Sequence, residues 1–565
     1  RTGVFVPTTL YAGRNVNGDA TISSGKNTDI INENYLTYNW KINPTNTLTA
    51  LGGYSIQKST DNYWAAGSQS FITNSVSFWN LGGGAVPKIP SSSFSETQIA
   101  SVFGRINYSF NSKYLLTFNA RYDGSSNFSK NNKWAFFPSG AFAWNMKDEN
   151  FMQNVDFISD FKLRTSYGLT GNQAISPYQT LARFSTSYTI IDGVPVNAVR
   201  PTTVANDDLT WETTRQFDLG ADISFFENRL NITADYYRSV TSDLLFSVPL
   251  PSYSGYSSQL QNLGKVENKG FEFALNTVNT TGAFQWNTGF NISFNRNKVL
   301  ELPDGNDILY GSGPGHLIGL GQTQILRVGE PVGSFYGWVY DGVYQEGDDF
   351  LPGGGFEQVA GGEKFRDIDG EKDANGQLTG NPDGTLNSDD RTVIGNGQAK
   401  FIWGLNNDFS FKGFDLNIFF QGSQGNKILS YTLLEIETLS GSNNSTTRAL
   451  DRWTPSNTDT DVPKRTLSRS QRVSTRWIYD GSYARLKNIS LGYTFPSTVS
   501  DKISVSRIKL YVSAQNLLTF TKYPGFDPEV NYSSSGSTNS NRNLGLDYAS
   551  YPNAKSYTVG LNISF

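Results

Sequence analysis

The amino-acid sequence predicts an all-β protein, in the form of a large transmembrane antiparallel β-barrel with long extracellular loops. Three observations support this fold class. Apolar and polar residues alternate with a period of two, short and long connections follow each other in turn, and aromatic residues make up 14% of the 565 positions. Alternation gives a strand one apolar and one polar face, which in such a barrel meet lipid and a water-filled lumen.

The end of the chain shows the alternation most clearly. From residue 556 onward every second residue is apolar, namely Tyr557, Val559, Leu561, Ile563 and Phe565. A final strand that ends on an aromatic residue is the pattern that barrel proteins present to their assembly machinery. Phe565 is therefore predicted to be part of an assembly signal.

The same period recurs upstream and predicts roughly 15 membrane-spanning strands, each of about 9–11 residues or more. Clear examples lie at 116–122, 217–225, 271–275, 284–294, 403–411 and 489–495. Their polar faces are rich in Asn, Ser, Thr and Gly, as a water-filled lumen would favour.

The connections between these segments indicate which ends share a side of the membrane. Very short turns are predicted at 111–112, 227–228, 281–282 and 412–413, and long loops at 170–213, 241–268, 422–476 and 520–553. Because the turns at 281–282 and 412–413 lie on the same side, residues 297–399 form one extracellular excursion or an even number of extra spans. The apolar stretch Ser334–Tyr340 is accordingly not expected to be a single spanning strand, and helical spacing is expected within 428–438 and 446–453.

Composition excludes several classes of function. No run of 18 apolar residues exists, so transmembrane helices are not expected. The chain has no Cys, one His and two Met, which rules out disulfides and thiolate metal sites and leaves little material for a catalytic triad. A net charge of −4 without a long basic tract argues against nucleic acid as a partner. The protein is not expected to be an enzyme.

Several sequence motifs resemble those of a known family. The stretch Gly481–Pro496, which reads GSYARLKNISLGYTFP, is similar to a segment typical of the SusC/RagA family of TonB-dependent outer-membrane transporters of Bacteroidetes. Further similar segments follow the order of that family, at 209–214, 328–337, 449–455, 510–518 and 523–529.

The resemblance implies a barrel of about 22 strands, a plug domain inside it, a TonB-contacting segment upstream and a SusD-like surface lipoprotein as a lid. It also implies uptake of oligosaccharides or peptides, without any bond being broken. The plug domain and the TonB box are not present in residues 1–565, which are expected to form the C-terminal part of the barrel, with 297–399 and 422–476 as long extracellular loops. Outer-membrane lipid and TonB, through the missing N-terminal part, are the other expected partners.

One acidic segment suggests a calcium site, the single cofactor that the sequence raises. Asp367 and Asp369 are separated by the inserted stretch 371–382 from Asp383, Asn387 and Asp390. Without the insertion these residues follow a Ca²⁺-loop pattern of oxygen ligands around a turn glycine. The alternative is an acidic, solvated turn that binds no metal.

Loop aromatics are candidates for contact with substrate or with the lid, because flat rings stack on sugars with little loss of entropy. The alternative is that they form an aromatic girdle or pack within the loops. The candidates are Trp64, Trp79, Trp453, Trp477, Tyr523 and Phe526.

Three alternatives to TonB-dependent import remain open from the sequence. A passive porin-like channel would need a complete barrel and no plug. A soluble extracellular β-rich adhesin would bury its alternating aromatics between two sheets. A signalling receptor would require an N-terminal extension.

Overall fold

Strands dominate the computed structural model, which describes residues 1–256, 258–373, 378–441, 444–467, 469–532 and 542–565. The chain divides into two units. Unit 1 consists of Arg1–Ala143, Ser166–Arg215 and Thr241–Leu263, and unit 2 consists of Trp144–Thr165, Gln216–Val240 and Gly264–Phe565.

The first half of the chain contains sixteen strands within the described residues. They are β1 (Thr2–Val6), β2 (Asp19–Asn43), β3 (Asn46–Phe71), β4 (Gly84–Pro87), β5 (Ser91–Phe110), β6 (Tyr114–Ser125), β7 (Trp134–Asn145), β8 (Ile158–Asn172), β9 (Arg183–Ile191), β10 (Val194–Thr203), β11 (Glu212–Phe225), β12 (Leu230–Ser242), β13 (Leu245–Pro249), β14 (Ser258–Asn262), β15 (Lys265–Thr281) and β16 (Phe284–Glu301).

Sixteen further described strands follow. They are β17 (Ile308–Ser312), β18 (Gln322–Leu326), β19 (Ser334–Gly337), β20 (Tyr340–Val343), β21 (Glu363–Phe365), β22 (Gly370–Lys372), β23 (Leu378–Pro382), β24 (Thr392–Asn396), β25 (Phe401–Phe411), β26 (Phe414–Gln424), β27 (Lys427–Ser430), β28 (Ile478–Asp480), β29 (Tyr483–Thr494), β30 (Arg507–Thr521), β31 (Leu546–Asp547) and β32 (Ser556–Ser564).

Helices are short. The α-helices are α1 (Tyr11–Arg14), α2 (Tyr431–Glu437) and α3 (Ser497–Ser500), so helix forms in only part of the stretch 428–438 for which the sequence predicts it. Short 3₁₀ segments lie at Asn74–Trp79, Leu81–Gly83, Met146–Asp148, Asn150–Met152, Ser252–Ser254, Pro303–Gly305, Ile318–Leu320, Ser388–Asp390, Thr447–Asp451, Thr475–Trp477 and Asp501–Ile503. No helix in the described ranges combines the length and apolarity needed to cross a membrane.

The number of long strands agrees with the sequence. Seventeen strands in the described ranges have nine or more residues, and two of them, β9 and β10, form a separate two-stranded sheet. Fifteen strands of the predicted length therefore remain, which matches the predicted number.

In unit 1, β2, β3, β5 and β6 pair antiparallel in chain order. The turn between β5 and β6 contains Asn111 and Ser112, both with positive φ (53° and 57°). Such a turn twists in the same sense as the strands that it joins, which is why tight hairpins favour it. The short connection predicted at 111–112 is therefore a true hairpin.

In unit 2, β16 pairs directly with β25, from Phe284 opposite Phe411 to Ser293 opposite Ile402. The roughly hundred residues between them thus leave the sheet and return to the neighbouring position. Within that excursion β19, which covers most of the apolar stretch Ser334–Tyr340, pairs with β18 and β24 in a separate four-stranded sheet. The parity argument from the sequence is confirmed on this point.

The alternating side chains of unit 2 form continuous rows across strands. Leu416, Leu491, Val512 and Val559 lie side by side on β26, β29, β30 and β32. Leu491, Val512 and Val559 are 50%, 51% and 73% exposed. A soluble sandwich would bury these side chains against a second sheet, so the adhesin hypothesis is contradicted.

Unit 1 repeats the arrangement. Val102 on β5 stands opposite Tyr122 on β6, and Ile106 stands opposite Phe118. All four side chains are exposed. Because transfer of such surface from water is favourable, at about 25 cal/mol per Å², a face of this kind requires an apolar surrounding.

The buried apolar residues of unit 2 lie mainly in its long connections. One cluster joins residues from three excursions of the chain: Leu317, Leu320, Phe335, Leu429, Tyr431, Leu433, Leu434, Val473, Trp477 and Leu546. Unit 1 has its own loop-end cluster around Phe128, Phe137, Ile175, Leu209 and Trp211. Loops that carry such cores hold a defined shape, which a binding surface requires.

Candidate functional site in the packed loops of unit 2

A buried arginine fastens the loop after β30 to the wall of strands. Arg485, at 1% exposure, donates from Nη2 to Asp527 Oδ1 and from Nη1 to Glu529 Oε2, both at 2.7 Å. Each oxygen of Glu529 has a further donor, with Tyr483 Oη at 2.6 Å from Oε1 and Asn553 Nδ2 at 2.8 Å from Oε2. We call these five residues the latch.

The latch also explains the ionisation of its buried carboxylate. Burial alone would raise the pKa of Asp527, but the backbone amides of Glu529 and Asn553 and the Arg485 guanidinium more than offset it and lower the pKa. Both amides lie 2.9 Å from the carboxylate. Asp527 is therefore held in its charged form by two amides of its own loop and by Arg485, and of these bonds only the one from Arg485 joins the loop to the wall of strands.

A second buried charge cluster joins two other excursions of the chain. Arg476 Nη1 lies 2.9 Å from Glu363 Oε1, and Arg469 Nε lies 3.1 Å from Glu357 Oε2. Arg469 also donates to the carbonyl of Thr438 at 2.6 Å. Burial raises the pKa of Glu363, and the two guanidinium groups oppose that shift. The cluster fixes β21 against the segment that follows α2.

A cavity of about 510 Å³ opens beside this cluster. Its wall includes Trp338, Phe356, Leu386, Asn387 and Arg472, and no carboxylate from the described residues lines it. The Arg472 guanidinium lies 4.0 Å from the centroid of the Phe356 ring and 5.9 Å from that of Trp338. Trp338 Nε1 donates to the carbonyl oxygen of Asn387 at 3.1 Å, which fixes the indole.

A second cavity of similar volume lies next to the latch. It is bounded by the ends of β16, β25 and β29, and its wall includes Asn295, Gln398, Ile402, Tyr483 and Glu529. Ile402 is 54% exposed although it lies on the polar face of its strand. An apolar side chain among amides and a carboxylate suits a ligand with both apolar and hydrogen-bonding parts.

Three of the six predicted contact aromatics are buried, so the prediction is wrong for them. Trp453 is 6% exposed and donates to Gln345 Oε1, Trp477 is 2% exposed within the apolar cluster, and Tyr523 is 5% exposed. Tyr523 Oη donates to Asp547 Oδ2 at 2.6 Å. These side chains pack the loops together because they reach partners far away in sequence.

The other three candidates are exposed. Trp64 on β3 is 45% exposed, Trp79 is 76% exposed and Phe526 is 74% exposed. Contact with substrate or lid stays a prediction for these residues. Phe565 follows β32 and is also exposed, and its role in assembly likewise stays a prediction.

The structure brings the predicted calcium ligands into one loop, where backbone amides face their oxygen atoms. Asp367 Oδ2 accepts from the amide of Gly384 at 2.6 Å, and Asp369 Oδ1 accepts from that of Gly380 at 3.0 Å. Asp383 Oδ1 accepts from the amide two residues further on, at 2.8 Å. The oxygen lone pairs that would coordinate a cation thus already accept hydrogen bonds from backbone amides of the same loop.

The remaining two predicted ligands form a helix cap. Asp390 Oδ1 accepts from the amide of Ile368 and Oδ2 from that of Asn387, at 2.9 and 2.8 Å. Asn387 Oδ1 accepts from the amide of Asp389 at 2.7 Å. Residues 374–377 of the inserted stretch lie outside the described residues, and in the described ranges no three His, Cys, Asp or Glu side chains converge as a metal site. Calcium binding therefore stays a prediction.

Sequence reasoning did not single out the arginines of this region. A signal was present, because the stretch 466–479 contains Arg469, Arg472 and Arg476 and no acidic residue. Which of the three lacks a carboxylate partner depends on residues more than a hundred positions away, so the spacing alone could not show it.

Comparison with known proteins agrees with this architecture. The family model described as "TonB dependent receptor-like, beta-barrel" matches residues 3–363. The chain belongs to this family of outer-membrane β-barrel proteins. Its relatives are receptors and transporters rather than enzymes, as the sequence predicts.

Individual relatives extend the resemblance to the whole chain. A TonB-dependent receptor, P3, of Formosa agariphila is 51% identical over 100% of this chain and 55% of its own length. SusC of Bacteroides thetaiotaomicron is 32% identical over 83% of this chain and 44% of its own length. The solved RagAB peptide transporter aligns with a TM-score of 0.82 and 27% identity over 97% of this chain and 56% of the RagAB chain. The chain thus spans about half the length of these relatives.

Proposed function

We propose that this chain forms the barrel part of an outer-membrane importer that takes up oligosaccharides or peptides in a TonB-dependent manner. Family membership and the likeness to SusC and RagAB along nearly the whole chain support the proposal. RagAB is a peptide transporter, which keeps peptides beside oligosaccharides as cargo classes.

One observation carries the proposal most directly. Exposed apolar side chains form unbroken rows across neighbouring strands, while the opposite faces carry polar residues such as Asn417, Ser490 and Ser513. A transmembrane β-barrel requires a wall of this kind, with an apolar face toward lipid and a polar face toward the lumen. The chain would supply the wall, the lumen lining and the loops that meet the cargo.

The long connections fit a role in cargo capture at the cell surface. Excursions 302–400 and 425–482 and the loop after β30 pack on one another, and two cavities of about 510 Å³ lie among them. We propose that these loops face the outside and meet a SusD-like lipoprotein, with Phe526 as one exposed aromatic for that contact. Copurification of such a lipoprotein with the full-length receptor tests the partner.

Uptake in living cells tests the function. We expect cells that carry the full-length receptor to accumulate fluorescent oligosaccharides or peptides of one class, and loss of either the receptor or TonB to abolish accumulation. Accumulation that survives loss of TonB would contradict the proposal. It would favour a passive channel, which should also show a steady large current in planar bilayers.

A further inference from the structure

We propose that the cavity beside Arg472 binds the anionic group, a sulfate ester or a carboxylate, of an acidic oligosaccharide. The inference rests on the proposed import function and narrows its cargo to negatively charged sugars.

Arg472 has no carboxylate partner at ion-pair distance among the described residues. Arg472 donates from Nη2 to the carbonyl of Gly355 at 2.7 Å and from Nη1 to that of Ser470 at 3.4 Å. Its neighbours Arg469 and Arg476 both have glutamate partners. A guanidinium that bonds only neutral oxygens retains its attraction for an anion.

A second arginine, Arg391, adds to the positive electrostatic potential near the cavity. Arg391 donates to the carbonyl groups of Gln322 and Tyr336, has no carboxylate partner in the described ranges, and lies 5.0 Å from the centroid of the Trp338 ring. Burial lowers the pKa of both Arg391 and Arg472, and for Arg472 the nearby charges of Glu363 and Glu357 oppose that shift without forming an ion pair with it. Arginine nonetheless stays protonated at neutral pH, so both remain positive.

The positive charge of Arg472 and Arg391 contrasts with the acidic sequence nearby. Residues 341–390 contain 13 Asp and Glu against 3 Lys and Arg, so carboxylates were plentiful nearby. None of the described residues that line the cavity is acidic. A cavity that stays cationic beside so acidic a segment is suited to an external anion rather than to an internal salt bridge.

The wall favours a sugar over a peptide. Beside Arg472 it offers the Trp338 ring and the uncharged hydrogen-bonding side chains of Asn387, Ser470 and Gln471. Hydroxyl and amide groups match the hydroxyls of a sugar, and an aromatic ring packs against its C–H face. Cationic stacking on Phe356 at 4.0 Å holds the guanidinium in a fixed direction, which lowers the entropic cost of binding.

Two glycines leave room for the ligand. A Cβ atom placed on Gly319 or Gly354 would meet no atom within 4 Å, and neither residue has the positive φ that would strain a side chain. The ligand can therefore approach the backbone closely at these points. A bulky residue at Gly354 would occupy that space while Arg472 stays in place.

The test measures equilibrium binding to the purified full-length receptor in detergent, by calorimetry. The probes are sulfated dextran hexasaccharide, oligogalacturonate of the same length, unmodified dextran hexasaccharide and a hexaglutamate peptide. The variants are Arg472→Gln, Gly354→Phe and, as a control, Arg465→Gln. Arg465 is exposed and bonds a carbonyl, that of Gly441, in the same region, so its variant removes the same charge outside the cavity.

We expect at least one acidic oligosaccharide to bind and unmodified dextran not to bind. The two acidic probes separate a sulfate from a carboxylate as the recognised group. Arg472→Gln and Gly354→Phe should each weaken binding about tenfold or more, whereas Arg465→Gln should stay within about twofold.

Failure of both acidic sugars to bind, or an Arg472→Gln effect within twofold of the control, would overturn the inference. Arg472-dependent binding of hexaglutamate alone would also overturn it and show a peptide site instead. Because the assay does not involve TonB, these outcomes are separate from loss of the import function, which the uptake experiment reports.

Discussion

Replacement of Arg485 in the latch is expected to destabilise the docked loop after β30. In Arg485→Met the side-chain volume is nearly kept, but Asp527 and Glu529 lose the cation that each meets at 2.7 Å. Removing one partner of a buried ion pair costs about 3–5 kcal/mol, because the other charge stays buried without compensation. We therefore expect the loop after β30 to open more readily by that amount.

Hydrogen exchange measures this opening. Amide exchange across the whole loop reports its opening, and the amides of Glu529 and Asn553, which donate to Asp527 within the loop, are among the protected positions. A cost of about 3–5 kcal/mol corresponds to exchange faster by roughly two to four orders of magnitude. Mass spectrometry of peptides that cover 522–532 and 542–555 in the full-length receptor would detect the change.

A matched control uses an exposed pair. Arg366 and Asp341 lie 2.9 Å apart with side-chain exposures of 59% and 39%. Such pairs contribute about 0–1 kcal/mol, so Arg366→Met should leave exchange at the latch unchanged. If Arg485→Met also shifted it by less than about 1 kcal/mol, the view that Arg485 holds the loop in place would be refuted.

Three further predictions concern pH, packing and calcium. Because the folded-state pKa of Asp527 lies below its unfolded value near 3.8, the latch is fully stabilised above that pH and should open as the pH falls below about 4; protection of the loop amides, corrected for the pH dependence of intrinsic exchange, that stays constant down to pH 2 would contradict this. Trp477→Ala should lower the free energy of unfolding by about 3–5 kcal/mol, because a buried indole leaves a large cavity, and chemical denaturation that shows under about 1 kcal/mol would argue against that packing. Removal of calcium with a chelator should speed proteolysis between Asp367 and Asp390, and identical cleavage rates with and without chelator would rule out calcium there.

Some features of the fold could be read from the sequence because they depend on near neighbours along the chain. Successive side chains of a strand point to opposite faces whatever surrounds it, so Tyr557 to Phe565 reveal an apolar face directly. The parity of the turns at 281–282 and 412–413 predicts by counting alone that Ser334–Tyr340 is not a single spanning strand. The second expectation agrees with the pairing of β16 to β25.

The candidate site was far less accessible to sequence reasoning. Trp453, Trp477 and Tyr523 are of the residue types that often contact ligands. Only their burial shows that they pack within the loops instead. Trp453 contacts Gln345, which is 108 positions away. No local pattern encodes such a contact, because loops satisfy their polar and apolar groups against whichever excursion lies beside them.

The sequence by itself determined which face of each strand is apolar and which is polar, since alternation is a property of each strand. Tertiary structure alone decided which charges are neutralised. Arg469, Arg472 and Arg476 stand three or four residues apart, yet two meet glutamates and one faces a cavity. Electrostatic energy depends on distance in space, and in loops that distance is set by packing between segments remote along the chain.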